Sequence, residues 1–283
     1  MSTPSVLDRA GEGAAGAAAS LRITPTWSLG SRRAMRLVER NGRVYFRMWI
    51  MFVSGFFEPL FYLLSISVGI SKLAGPVAGP GGHLISYTAF VAPALMAVSS
   101  MNGAVMDGSF GVFFKLKFAK VYDAVLATPM DSGDVALGEI SWAVLRGGIY
   151  SSAFLVVMAL MGLVRSPWAA LAVPASLLEG FGFAAVAMAA TTYMRSWQDF
   201  DFVTLALMPM FLFSGTFYPL SVYPSGLREL VLVTPLYQGV AVIRGLDLGT
   251  PSWSMLGHCL YLLVMSVGGL VVASRRLEHL ILK

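Results

Sequence analysis

The stretch 212–249, LFSGTFYPLSVYPSGLRELVLVTPLYQGVAVIRGLDLG, decides how the chain is read, because it is strongly apolar yet cannot run as one straight helix. Pro219, Pro224 and Pro235 each remove a helix hydrogen bond, and glycines at 215, 226, 239, 245 and 249 loosen the rest. Two short helices are predicted. One is capped by Ser225 and ends near Val233; the other is capped by Thr234, with Pro235 at its first position and Gly245 just past its end. Arg228, Glu229, Arg244 and Asp247 are expected where the segment meets water. These features predict a long span followed by a helical hairpin that dips back into one membrane face. Bare backbone at that depth is tolerated only against protein or a wet cavity. Tyr218, Pro219, Pro224, Arg228, Glu229 and Pro235 are therefore expected to form a re-entrant outer gate over a pathway exit.

Composition supports a membrane protein independently. The chain is 57% hydrophobic and only 12% charged, too apolar for a soluble domain of 283 residues. A lone Cys259 excludes an intrachain disulfide and a four-thiolate metal site, and His83, His258 and His279 stand isolated, so no metal site is expected. The formal charge of +5 does not point to nucleic acid, since the arginines gather beside the first span rather than on a soluble face. There is no GxxxxGK[ST], HExxH or GxSxG, and no GxGxxG ahead of a helix. No nucleotide-binding or hydrolytic apparatus is recognisable, no bound cofactor is expected, and energy must come from elsewhere.

Residues 1–26, rich in Ala, Gly and Ser, are expected to be a disordered cytoplasmic terminus. The Arg32-Arg33 pair does not make a twin-arginine signal, because a full span follows without a nearby small-residue cleavage site. Across 27–47, Arg32, Arg36, Arg40, Arg43 and Arg47 fall along one side of a helix, and Ala34, Leu37, Val38 and Val44 fall elsewhere. This predicts an amphipathic interfacial helix whose apolar side lies in the headgroup boundary and whose arginines meet membrane lipid or an acidic partner.

Six spans are predicted near 44–70, 83–105, 135–163, 168–191, 200–217 and 253–273, each long enough for a hydrocarbon core of about 30 Å. Fifteen of the twenty Lys and Arg then fall in cytoplasmic segments and four in outer loops, which predicts two cytoplasmic termini. The same orientation puts the 218–249 hairpin, between the fifth and sixth spans, on the outer face. The loop 75–82, GPVAGPGG, is expected to be flexible and external.

The patterns LFSGTFYPL and TPLYQGVAVIRG closely resemble the signature of type-2 ABC exporter permeases, and LATPM at 126–130 with GEISWAVLRG at 138–147 resembles the branch containing nodulation lipo-oligosaccharide and daunorubicin-type drug permeases. The resemblance covers roughly Arg33 to the C-terminus and implies one transmembrane domain over 27–283. It further implies a permease subunit that moves a lipid, a lipo-oligosaccharide or glycolipid, or a hydrophobic drug outward across the bacterial plasma (inner) membrane. ATP and Mg would be bound by a separate ATPase subunit. A second permease protomer, identical or related, would meet this one through the first and fifth spans.

The longest interior loop, 107–134, mixes Lys115, Lys117 and Lys120 with Phe113, Phe114, Phe118 and Tyr122. Residues 115–127 have helical spacing with Phe118, Tyr122 and Leu126 on an apolar side, and Thr128-Pro129 terminates them. That pattern suits a helix docked in a groove of another protein, or one lying back on the membrane. The resemblance makes it the coupling helix, carrying Lys115, Phe118, Tyr122, Leu126, Thr128 and Pro129 into the ATPase.

Charges inside spans cost about 2.5–3.5 kcal/mol each at mid-membrane and are rarely kept without partners. Glu58, Arg146 and Glu179 fall at similar depth, which predicts a Glu58–Arg146 or Glu179–Arg146 pair, with Glu139 nearer the inner boundary orienting the coupling loop. Phe52, Phe56 and Phe57 on the first span, with Phe211, Phe213 and Phe217 on the fifth, offer a greasy path to an amphipathic substrate or a surface for lipid or a second protomer. The alternative is a polytopic membrane acyl- or glycosyltransferase using Glu58, Asp199 or Asp201 as acid or base. Few intramembrane carboxylates and no nearby histidine speak against it. A passive channel would show regularly spaced pore-lining polar residues, and none is evident.

Overall fold

The computed structural model describes residues 31–47, 57, 59–79, 82–126 and 128–281. The expectations for residues 1–26 and for Phe52, Phe56 and Glu58 lie outside them. The described residues are all-α apart from one short hairpin. Helix α1 is Ser31–Arg47 and α2 is Pro59–Ala74. Strands β1 (Pro76–Ala78) and β2 (Leu84–Ser86) pair antiparallel with Val77 opposite Ile85, so the stretch expected to be a flexible loop is instead partly a closed hairpin. Then come α3 (Tyr87–Phe118), α4 (Val121–Leu126), α5 (Ser132–Leu160), α6 (Pro167–Thr191) and α7 (Phe200–Phe213). The bent pair α8 (Ser225–Val233) and α9 (Pro235–Asp247) and a final helix α10 (Ser254–Ile281) complete the chain.

Among the described residues, α3, α5, α6 and α10 are long and apolar enough to cross a membrane, and α8 with α9 adds a fifth crossing if that pair is one broken span. Helix α3 runs through the centre, with Ala89, Val91, Ala94, Leu95, Met96 and Met101 all sealed from the surface. Helix α6 presents Ala184, Ala185 and Met188 to the core, and the two small alanines let neighbouring backbones come close at Gly108 and Gly269, as membrane helix packing requires.

Local chemistry explains where elements start and stop, and corrects several expectations. Residues 107–118 are not loop: α3 continues through them in wider, π-type turns. The helix predicted over 115–127 is broken at Lys120, whose φ of 45° turns the chain into α4. Helix α5 opens on a reciprocal cap in which Asp131 accepts from the Asp134 amide and Asp134 from the Asp131 amide. In the bent pair, Pro224, not Ser225, holds the cap position of α8. Thr234 precedes α9 with Pro235 at the first position, as expected, but its hydroxyl donates back to Val231 instead of capping α9. Helix α9 also runs past Gly245 to Asp247, and Gly249, at φ 71°, makes the turn out. The two axes meet at 83°.

Candidate functional site

The stripe Ala34, Leu37 and Val38 of α1 is buried against the protein's own α5, not turned to lipid as expected. The reason is Gly138: a Cβ there would stand 2.9 Å from the Leu37 Cβ and 3.0 Å from the Ala34 carbonyl. With its apolar stripe so engaged, α1 directs Arg36 and Arg40 toward α4, and a groove of about 430 Å³ lies between them, lined also by Leu37, Lys120, Val125 and Thr128. Arg33 Nη1 donates to the Pro129 carbonyl at 2.6 Å, fastening the turn after α4 to α1. Arg40 Nη1 is buried without a hydrogen-bond partner.

The predicted coupling residues separate here. Phe118 is 63% exposed, and Thr128 and Pro129 are exposed. Tyr122, expected on the same outward side, is fully buried because the break at Lys120 rotates α4 relative to α3. Its phenol is pushed well up, by burial first and then by Glu139. Lys115 also turns inward, and the Leu126 side chain lies outside the described ones.

Behind the groove stands a polar column of two rungs. In the first, Lys115 Nζ meets Glu139 Oε2 at 2.6 Å, and Asn41 donates to the same oxygen at 2.9 Å while accepting from Lys115 at 3.1 Å. In the second, Arg146 Nε meets Asp107 Oδ2 at 2.8 Å, and the Tyr45 hydroxyl donates to Asp107 Oδ1 at 3.1 Å. The Arg146 guanidinium also lies 5.2 Å from the Tyr45 ring centre and 5.7 Å from that of Tyr150. Helix geometry sets the register. Eight residues separate Asp107 from Lys115 along α3 and seven separate Glu139 from Arg146 along α5, so two antiparallel helices bring both pairs level. One turn of α1 separates Asn41 from Tyr45 and supplies a member to each rung.

The predicted Glu179–Arg146 pair is therefore corrected: the partner of Arg146 is Asp107. Asp107 was assigned to a loop, and only the continuation of α3 keeps it in the helical wall. Glu179 is 0% exposed on α6, and neither carboxylate oxygen has a hydrogen-bond partner among the described residues. It packs on bare backbone at Gly239 of α9, where a Cβ would fall 2.3 Å from its Cδ.

Arg244 and Asp247, expected at water, are both buried. Arg244 Nε donates to the Phe90 carbonyl at 3.0 Å, and Nη2 to Gly215 at 2.8 Å and Thr216 at 3.4 Å. Its guanidinium lies 3.8 Å from the Phe90 ring centre. One side chain thus holds the turn after α7 and the start of α3 onto α9. Ser214 and Thr234 hydroxyls join across the same turn at 3.0 Å. Of the expected gate residues, Tyr218, Pro224, Arg228 and Glu229 are exposed, Pro219 is half-buried, and Pro235 opens α9.

Of the predicted aromatic path, Phe211 lies between Tyr62 at 5.9 Å and Phe217 at 5.1 Å, joining α2 to α7. Phe57 stacks on Phe61 at 5.7 Å, and Phe213 is exposed. The Asp199 carboxylate, a candidate acid or base, accepts from the Arg195 and Ser196 amides at 2.6 and 3.1 Å and so serves the turn into α7. No group of three or more His, Cys, Asp or Glu able to hold a metal occurs among the described residues. Sequence reasoning missed Asn41, Tyr45, Asp107 and Arg244. The one readable signal was Asn41 and Tyr45 four apart on α1, away from the arginine row.

Long apolar helices packed together with charged side chains buried among them define a multi-pass α-helical membrane protein. The chain belongs to the ABC-2 type transporter family, which matches residues 33–248. It is 30% identical over 197 residues to Nodulation protein J of Rhizobium meliloti, covering 69% of this chain and 72% of that protein. Nodulation protein J of Rhizobium leguminosarum bv. viciae is 29% identical over 227 residues, covering 78% and 85%. That of R. leguminosarum bv. trifolii is 30% identical over 227 residues, covering 78% and 84%. The chain is thus a membrane permease of an ABC exporter, a transport subunit and not a catalytic enzyme.

Proposed function

We propose that this permease moves an amphipathic substrate, a lipo-oligosaccharide, other glycolipid or lipid, or a hydrophobic drug, outward across a bacterial plasma membrane, driven by a separate ATPase subunit at the α1–α4 groove. ATP and Mg are held by that subunit and not by this chain. In this reading the chain crosses six times with both termini cytoplasmic. Helices α2 and α7 are then spans, α1 lies at the inner interface, and α8 with α9 is a re-entrant hairpin at the outer face. A second permease protomer, identical or related, completes the path.

The observation that carries the reading is the groove and what stands behind it. Arg36, Arg40 and Lys120 give it cationic walls, and none of the three is in an ion pair among the described residues. An acidic, partly apolar protein surface complements such a groove, with the apolar walls supplying affinity and the charges orientation. Displacing α4 or α1 there pulls on Asn41, Tyr45 and the two rungs, and so on α3 and α5 together. The exposed aromatics Phe57 and Phe213 and the Phe211–Phe217 pair give an amphiphile an apolar surface to follow.

The test is co-purification with the cognate ATPase and ATP-driven uptake of labelled lipid into inverted vesicles. Arg36→Glu with Lys120→Glu is expected to lower ATPase retention about tenfold or more, since reversed charges repel the acidic surface. Retention equal to wild type, or uphill uptake by the chain with no ATPase present, would sink the reading.

A further inference from the structure

A second cavity, of about 620 Å³, opens between α6 and α7 and plays no part in the groove or the column. Its walls include Val105, Phe183, Leu207, Met210 and Met265. Along α7 it extends from Phe202 to Met210, about 12 Å, and along α6 from Phe183 to Ala190, about 10 Å, with Tyr193 just past the helix end. That is about half of a 30 Å hydrocarbon core, the depth of one leaflet.

The slot is polar at one end only, where Tyr193, Arg195 and Asp199 line it. Arg276 of α10 lies 4.1 Å from the Tyr193 ring centre, and its Nε is buried without a hydrogen-bond partner. Arg275 is exposed beside it. Arg195, Arg275 and Arg276 are in no ion pair among the described residues. The carboxylate lining this end, Asp199, is already occupied by the Arg195 and Ser196 amides, and Glu278 is exposed further along α10. An apolar slot about one leaflet deep therefore ends in guanidinium groups that make no salt bridge among the described residues, with Asp199, whose charge is felt by Arg195, the one carboxylate lining that end.

We propose that this cavity binds one acyl chain of an anionic membrane phospholipid, with the phosphate between Arg195 and Arg276. A zwitterionic lipid fills the slot but brings its own cation to the arginines, and a free phosphate leaves the slot empty. Basic pockets between spans on the cytoplasmic side are suited to anionic headgroups. The proposal rests on the six-crossing orientation proposed above, which puts the turn between α6 and α7, with Arg195, and the end of α10, with Arg276, on the cytoplasmic side. Because the lipid occupies the gap beside α7, the inner-leaflet charge would help set where that helix sits.

The experiment equilibrates the purified full-length chain in detergent with equal phosphatidylglycerol and phosphatidylcholine of identical chains, and quantifies retained lipid by mass spectrometry. Phosphatidylglycerol is expected to be retained about tenfold over phosphatidylcholine, from roughly two arginine contacts. Arg195→Gln with Arg276→Gln should bring the ratio close to one while phosphatidylcholine retention stays unchanged. Ala206→Trp, an exposed position on the slot wall, should reduce both lipids without disturbing the core. Equal retention of the two lipids by wild type, or an unaltered ratio in the double arginine variant, would overturn the proposal. So would displacement by glycerol 1-phosphate as effective as by phosphatidylglycerol. The ATPase is absent from this measurement, so lost export with lipid preference intact counts against the permease mechanism alone.

Discussion

The polar column and the bent pair hold buried charge in opposite ways. In the column each charge meets a charge, Lys115 with Glu139 and Arg146 with Asp107; neutral Asn41 adds a second donor to the Glu139 oxygen that Lys115 meets, and Tyr45 takes the other Asp107 oxygen. Around the bent pair, Arg244 rests on carbonyl oxygens and the Phe90 ring with no carboxylate, and Glu179 has no hydrogen-bond partner among the described residues. A buried ion pair is costly to break from one side and fixes two helices in register. Carbonyls of a turn offer a cation several nearby arrangements of similar quality. In the proposed function the column is the stiff transmission element behind the α1–α4 groove, and Arg244 is a re-settable latch on the bent pair.

The largest effect should come from breaking the column from one side. Arg146→Ala leaves Asp107 buried beside Tyr45 without its cation, a loss of about 3–5 kcal/mol. The check is thermal unfolding of the detergent-solubilised chain, with folded yield alongside. Asp107→Leu with Arg146→Met should recover most of the loss, because two apolar side chains replace a pair that costs desolvation. If Arg146→Ala left stability unchanged, the column would not be the stiffer region. Arg244→Lys comes next, since an ammonium keeps the charge but cannot reach the Phe90 and Gly215 carbonyls together in a fork. About 1.5–3 kcal/mol is expected for a lost charge-assisted hydrogen bond. In a Cys259→Ala background, Thr216→Cys should also react faster with a water-soluble thiol reagent once Arg244 is Lys. Equal rates would show that Arg244 does not hold the turn closed.

Glu179 sharpens the contrast from the other direction. Gly239→Ala forces a methyl group onto its carboxyl, an overpacking cost of about 1–3 kcal/mol that Glu179→Ala should relieve. Glu179→Gln alone should be close to neutral, because no hydrogen bond to the carboxylate is lost. A large penalty for Glu179→Gln would mean that the carboxylate has a partner.

The sequence carried the membrane class, the family and the break in 212–249, because prolines and apolar runs act locally. It placed Pro235 at the start of α9 and the end of α8 at Val233 for the same reason. Pairings across the bundle were not legible. Arg146 was matched to carboxylates chosen by depth, whereas its partner stood at the point where an expected helix end did not occur. Tyr122 was misplaced because one residue at positive φ, Lys120, rotates everything after it. Arg244 looked solvent-facing because carbonyl acceptors belong to every residue and leave no mark in composition.

The smallest expected effect lies at Asp199, between the two regions. Amides of Arg195 and then Ser196 hold its carboxyl below the usual carboxylate range. A depressed value contributes stability above the unfolded value, about 3.9, and loses it as pH falls through the folded one. The start of α7 should thus be indifferent to pH at neutrality and loosen only in acid, below about pH 4. Because the group lies at the surface in a turn, only half-buried, the global stability should scarcely move. The measurement is hydrogen exchange at the Arg195 and Ser196 amides relative to their neighbours across that range. A step should appear in wild type and vanish in Asp199→Asn, whose amide oxygen keeps accepting at every pH. A step of equal size in the variant would assign the titration to another group and detach the α7 turn from the carboxylate that now defines it.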